Sequence, residues 1–163
     1  LGAIGQELCP KLYGLGLKVI AFDLNADKSF TDKHNYLEVV DTLETIFTKS
    51  EIITLHIPLN DRTKHIISRE VIFKRLKKKP IIINTARGEL VDSHAIVDGI
   101  KDGKIKGYLA DVLKEEPLSK NEPLLDSEHV IITPHVGSRT FESVQRQGTM
   151  AVNNLIELVE KWT

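Results

Sequence analysis

The sequence predicts an α/β domain built on a doubly wound parallel sheet. Short runs of β-branched residues alternate with segments whose apolar residues recur at helical spacing. The strand-like runs are apolar along most of their length, as expected when helices cover both faces of a parallel sheet. This alternation continues along the chain without a repeat or a linker, so we predict one domain.

The first half of the chain predicts a helix directly after Leu1-Gly-Ala-Ile-Gly5. Leu8, Leu12 and Leu15 would form its apolar face, and glycines follow as stop signals. The segment Asp41-Thr-Leu-Glu44 has the form of a capping box and predicts a helix that ends near Lys49. The predicted strands of this half are 17–23, 36–40 and 52–57.

The second half continues the same alternation. We predict helices at 68–76, 93–101 and 140–162 and strands at 81–83, 106–110 and 130–133. A long acidic loop that contains proline, 111–126, separates the last two strands.

The glycines at the start of the chain predict a dinucleotide site. Gly2 and Gly5 match the second and third glycines of G-x-G-x-x-G, which allow close approach of a pyrophosphate to a helix amino end. Asp23 closes the next strand, where an acidic side chain binds the adenosine ribose and repels a 2′-phosphate, which favours NAD over NADP. The alternative is that Asp23 is only a solvated side chain at a strand end and binds no ribose. Because such a glycine turn normally follows a strand, we expect the first strand to precede Leu1.

Arg87 is the best-placed candidate for substrate binding. It follows the apolar run 81–83 within Asn84-Thr-Ala-Arg-Gly88, at the strand end where ligands bind in open parallel sheets. Its guanidinium can hold a carboxylate with two parallel hydrogen bonds. The alternative is a structural role, in which Arg87 only stabilises its own loop.

A histidine and a carboxylate form the second candidate group. His135 follows a predicted strand end, and imidazole gives or takes a proton near neutral pH. Glu115 and Glu116 lie in the preceding loop, and a neighbouring carboxylate fixes the imidazole tautomer and favours its protonated form. A structural histidine beside ordinary surface glutamates is the alternative. Asp111, at another strand end, could face a nicotinamide or serve as a turn cap.

Composition excludes several other classes of function. The chain has 163 residues and a net charge of -1, and its basic run, Lys77-Lys-Lys79, reads as a solvated helix end, so we predict no nucleic-acid partner. No apolar run is long enough to cross a bilayer. The single cysteine fits a reducing compartment, and we predict a cytoplasmic protein. The other histidines lack metal-ligand spacing, so no metal site is predicted.

Taken together, these motifs resemble the D-isomer-specific 2-hydroxyacid dehydrogenases. The matching segments, in family order, are Gly2-Ala-Ile-Gly5, Phe22-Asp23, Leu55-His-Ile-Pro-Leu59, Asn84-Thr-Ala-Arg-Gly88, Leu90-Val-Asp92, Asp111 to Pro117, and Pro134-His135. The resemblance implies that Arg87 binds a 2-oxo acid, that His135 is the acid and base, and that Glu116 is its partner. The predicted NAD-binding residues are Gly2, Ala3, Ile4, Gly5, Asp23, Pro58, Ala86, Asp111 and Gly137.

The resemblance also implies a Rossmann-type NAD-binding domain over residues 1–163, a homodimer, and a substrate domain outside this sequence. We therefore expect a fragment of a longer, NAD-dependent D-2-hydroxyacid dehydrogenase that would be inactive by itself. The alternative is an NAD-sensing, dimerising protein like the corepressors that resemble the same family. Turnover of a 2-oxo acid would separate the two.

Overall fold

A computed structural model describes residues 1–162. Helices and strands alternate along the chain, and all strand pairs are parallel. In chain order the elements are α1 (Ala3–Gly14), β1 (Val19–Ala21), α2 (Lys28–Thr31), β2 (Leu37–Val39), α3 (Leu43–Lys49), β3 (Ile52–Leu55), a π-helical turn (Val71–Arg75), β4 (Ile81–Asn84), a 3₁₀ turn (Gly88–Leu90), α4 (Ser93–Lys101), β5 (Gly107–Ala110), a 3₁₀ turn (Pro123–Asp126), β6 (Val130–Ile132) and α5 (Phe141–Glu160).

The strands form two parallel sheets. β1 pairs with β2, and the other four strands pair in the order β3-β4-β5-β6. Neither β1 nor β3 has a second strand partner within residues 1–162. A cavity of about 1850 Å³ lies between these two strands and is lined by both. The predicted α/β class with parallel sheets is confirmed, whereas the expected first strand stays a prediction.

The two sheets differ greatly in what they bury. The larger sheet has a continuous apolar core in which Ile67, Ile72, Ile82, Leu90 and Ile96 are fully inaccessible to solvent. These side chains come from β4, from α4 and from the turns before them. The apolar residues of each segment face the same side, so they pack together in one core. The core of the smaller sheet consists of Cys9, Val19 and Leu37 with partly buried neighbours.

Two local predictions need correction. The N-cap of α3 is Thr42, whose hydroxyl accepts the Thr45 amide, and not Asp41. Glu44 does not complete the predicted capping box, because its carboxylate pairs with Arg75 instead. The short helix α2, capped by Asp27, is not anticipated by the sequence pattern.

Helix α5 has no buried residue although its sequence is amphipathic. Thr140 caps its amino end by accepting the Ser143 amide, as expected for a helix that begins there. Its large apolar side chains are exposed, for example Phe141 at 94% and Leu155 at 64%. Within residues 1–162 no helix has the length and apolar character needed to span a bilayer.

Candidate active site

Three loops leave the same edge of the larger sheet. The last residue of β4 is in register with the last residue of β5, and the last residue of β5 is in register with that of β6. Because the strands are parallel, the segments that follow them emerge side by side. These segments carry Arg87 after β4, Asp111 and Glu116 after β5, and His135 after β6.

His135 and Glu116 form a hydrogen-bonded pair. The imidazole Nδ1 lies 2.7 Å from Glu116 Oε2, and the backbone amide of Leu113 donates to Glu116 Oε1 at 2.9 Å. The Leu113 amide and then the His135 imidazole hold the pKa of the Glu116 carboxyl below its usual value. Glu116 is therefore an anion that fixes the imidazole, while Nε2 has no hydrogen-bond partner among residues 1–162.

The carboxylate of Asp111 holds the turn that carries His135. It accepts the Thr133 hydroxyl, the Val136 amide at 3.0 Å and the Gly137 amide at 2.8 Å. A Cβ at Gly137 would lie 2.9 Å from Asp111 Oδ2, so the carboxylate would have to shift to admit a side chain there. His135 has a left-handed φ of 52°, which a non-glycine residue keeps only where its surroundings impose it. Asp111 thus caps this turn, and its contact with a nicotinamide stays a prediction.

Burial and hydrogen bonding act in opposite directions on Asp111. Burial raises the pKa of its carboxyl, but the bonds from the Thr133 hydroxyl and from the Val136 and Gly137 amides outweigh that effect. The pKa therefore lies below its ordinary value, and the group is an anion at neutral pH.

Arg87 is exposed, and its guanidinium forms no ion pair with a carboxylate of residues 1–162. Its only side-chain bond within residues 1–162 is from Nη1 to the Ala86 carbonyl at 2.6 Å. The loop below it is held by Asn84, whose Oδ1 accepts the Ala86 amide at 3.1 Å and whose Nδ2 donates to the Arg87 carbonyl at 2.9 Å. Sequence reasoning did not single out Asn84, although a polar residue that ends an apolar strand was a usable signal.

The arginine loop packs directly on the loop that contains Glu116. A Cβ at Gly88 would lie 2.1 Å from the Leu113 carbonyl carbon and 2.3 Å from the Lys114 nitrogen, so only glycine fits there. Leu113 is also the residue whose amide holds Glu116. The three catalytic candidates therefore belong to one group of loops in mutual contact.

The dinucleotide candidates of the first half of the chain lie around the cavity between the sheets. Gly2 is the N-cap of α1, no side chain caps that helix, and a Cβ at Gly2 would meet nothing within 4 Å. Its first-turn amides therefore remain available to a phosphate. Gly5, Asp23 and Pro58 all line the cavity.

The remaining dinucleotide candidates divide into two groups. Ala3 and Ile4 are exposed on the first turn of α1. The backbone amides of Ala86 and Gly137 are already bonded, to Asn84 and Asp111 respectively. None of Ala86, Asp111 or Gly137 lines the cavity between the sheets.

Comparison with known proteins identifies the family. Residues 1–137 match the profile described as D-isomer specific 2-hydroxyacid dehydrogenase, NAD binding domain. The chain belongs to this family. Its residues are 41% identical over 162 residues to hydroxypyruvate reductase of Thermotoga maritima, covering 98% of this chain and 49% of the relative. Identity to glyoxylate reductase of Thermofilum pendens is 36% over 160 residues, or 98% of this chain and 47% of the relative.

A solved structure shows the same fold. The D-isomer specific 2-hydroxyacid dehydrogenase of Lactobacillus delbrueckii ssp. bulgaricus, in its NAD complexed form, superposes with a TM-score of 0.84 at 28% identity, over 98% of this chain and 51% of that chain. The chain thus spans about half the length of these relatives. NAD is the cofactor of this family's domain, and the uncapped turn at Gly2 together with Asp23 fits it.

Proposed function

We propose that the protein containing this chain interconverts a D-2-hydroxy acid and its 2-oxo acid with NAD. The observation that carries the proposal is the bonded pair of Glu116 and His135, on the same group of loops as the exposed guanidinium of Arg87. A cation for a carboxylate and an acid-base group for a carbonyl oxygen are what this reaction needs from side chains. The two relatives named above are reductases of hydroxypyruvate and glyoxylate, which are small 2-oxo acids.

Each side chain has a distinct part in the reaction. NAD, when bound, supplies or receives the hydride at C2 of the substrate. Arg87 binds the substrate carboxylate and polarises the carbonyl, since its exposed guanidinium has donors free for two parallel bonds. His135 donates a proton from Nε2 to the carbonyl oxygen during reduction and accepts the hydroxyl proton during oxidation. Glu116 holds Nδ1 and stabilises the imidazolium.

Asp23 supports a preference for NAD over NADP. Its carboxylate accepts the Asn25 amide at 2.8 Å, which holds an acidic side chain near the expected ribose. A 2′-phosphate there would meet like charge. We also propose, from the composition, a cytoplasmic protein without a nucleic-acid or membrane partner, and, from the family resemblance, a homodimer.

The test uses the longest polypeptide that the reading frame encodes around this chain. We would mix it with NADH and glyoxylate, hydroxypyruvate or pyruvate and follow the loss of NADH absorbance. Arg87→Lys and His135→Ala are each expected to lower turnover by at least about 100-fold, the size of one acid-base or orienting contribution. His94→Ala and Arg146→Lys, at exposed positions, are the matched controls.

Two outcomes would contradict the proposal. Undiminished turnover in Arg87→Lys or His135→Ala would remove the roles given to these residues. NADH binding without turnover of any 2-oxo acid would instead favour the NAD-sensing alternative, in which the fold serves regulated association.

A further inference from the structure

We propose that Asn84 is the positioning residue that fixes the Arg87 guanidinium relative to the His135 imidazole. The inference rests on the reaction proposed above and adds a residue to it. Asn84 touches neither substrate nor cofactor in this scheme. It acts through the two loops that carry the reacting side chains.

The side-chain amide of Asn84 shapes the arginine loop. Oδ1 accepts the Ala86 amide, and Nδ2 donates both to the Arg87 carbonyl at 2.9 Å and to the Tyr108 hydroxyl at 3.2 Å. The side chain is completely inaccessible to solvent, so water cannot replace a lost bond. The Ala86 amide precedes the Arg87 Cα in the chain, and the Arg87 carbonyl follows it. Because Asn84 holds both groups, it sets the direction in which the guanidinium leaves the loop.

The backbone of Asn84 connects to the histidine loop. Its carbonyl accepts the Asp111 amide at 3.0 Å, at the point where β4 and β5 end in register. The Asp111 carboxylate in turn accepts the consecutive Val136 and Gly137 amides directly after His135. One residue therefore contacts the arginine loop by its side chain and the anchor of the histidine loop by its main chain.

Only asparagine meets all these demands at position 84. The site needs an acceptor for an amide and two donors, one for a carbonyl and one for the Tyr108 hydroxyl, on a short planar group. Aspartate has nearly the same shape but no donor, and it would place a carboxylate against the Arg87 carbonyl. Tyr108 is also buried, and this burial raises the pKa of its phenol to about 12, so the hydroxyl stays protonated.

The experiment compares Asn84→Asp with Asn153→Asp, the same change on the exposed helix α5. In Asn84→Asp we expect the KM for the 2-oxo acid to rise about 10- to 100-fold, since a small misplacement of an orienting group has an effect of this size. The dissociation constant for NADH is expected to change less than the KM, because Asn84 bonds only the backbone amides of the cofactor candidates Ala86 and Asp111. If Asn84 only stabilised the fold, Asn84→Asp would lower the fraction of active protein. The apparent kcat would then fall while the KM stayed constant.

A double-mutant cycle tests whether Asn84 acts through the guanidinium. If it does, Asn84→Asp adds less than about 2-fold to the defect of Arg87→Lys, because the group it positions is already gone. Full multiplication of the two defects, or an unchanged KM in the single variant, would overturn the proposal.

A third measurement does not depend on activity or on folding of a variant. Hydrogen exchange in the unmodified protein should show a slowly exchanging Ala86 amide, and exchange at the rate of the exposed Arg87 loop surface would overturn the proposal. If the unmodified protein reduces no 2-oxo acid but protects this amide, the proposed function fails while the positioning of Arg87 by Asn84 stands.

Discussion

The four-stranded sheet and the two-stranded sheet stand on opposite sides of one cavity, yet they bury very different amounts of apolar surface. The first has a core of seventeen buried residues drawn from α3, β3 to β5, α4 and the connecting turns, and the second has three. The catalytic candidates Arg87, Glu116 and His135 leave the well-packed sheet. The glycine turn and Asp23 belong to the sparsely packed one.

The catalytic candidates and the glycine turn therefore lie on sheets that differ in how tightly they are packed. Acid-base and orienting groups need fixed geometry, and the tightly packed sheet supplies it through buried side chains such as Ile82 and Asn84. The first turn of α1 presents backbone amides, which need less support from a core. Within residues 1–162, local opening is therefore expected to begin at β1 and β2, where few apolar contacts resist it.

The largest expected effect is on the packed sheet. Ile82→Ala removes a fully buried side chain from the middle of β4 and is expected to lower the free energy of unfolding by about 3 kcal/mol. Ile131→Ala on β6, where the side chain is 61% exposed, should change it by less than about 0.5 kcal/mol. Urea unfolding measures both, and equal effects would contradict the described core.

A second variant probes the contact between the catalytic loops. Gly88→Ala forces a Cβ into the backbone of Leu113 and Lys114, and we expect a loss of about 2 kcal/mol of stability together with most of the 2-oxo acid turnover. Gly148→Ala is the control, since a Cβ there meets nothing within 4 Å. Full activity in Gly88→Ala would show that the two loops do not need this contact.

On the smaller sheet the expected effect is weaker. Val19→Ala removes two methyl groups from the small core and is expected to lower the free energy of unfolding by about 1.5 kcal/mol, at about 0.8 kcal/mol per carbon. Val39→Ala, on the 37% exposed side chain of β2, serves as the control. Hydrogen exchange of the β1 amides should rise in Val19→Ala while that of β4 stays constant. An equal increase in the exchange rates of β1 and β4 would argue that the two sheets share one core.

The smallest effect concerns acid stability at the catalytic pair. The pKa of Glu116 in the folded protein is below its ordinary value of 4.5, so its contribution to stability is present above that pH and is lost as the pH falls through the folded-state value. Urea unfolding between neutral pH and pH values below 4.5 should therefore show a weaker pH dependence in Glu116→Gln. Glu115→Gln, the neighbouring exposed glutamate, should keep the dependence of the unmodified protein.

The sequence predicted the strands β3 to β6 and helix α4 because each is a strong local pattern. The helix Ser93–Lys101 has the predicted bounds, and Asp92 caps it by accepting the Ala95 amide. The pairing of Glu116 with His135 was also predicted, from the motif order and the chemistry of the two groups. The predicted capping box at Asp41 was wrong because the Glu44 carboxylate pairs with Arg75 instead. Arg75 lies 31 positions along the chain, so a local sequence pattern does not reveal this contact.

The sequence by itself determined the α/β class, the family and the residue types of the site, because periodicity and motif spacing are local properties of the chain. Only the tertiary structure decided that Asn84 supports Arg87, that Asp111 caps the histidine turn, and that Gly88 lies against Leu113. These contacts join segments that are distant in sequence or depend on the exact loop path. They follow from how the parallel strands end side by side, which no single segment specifies.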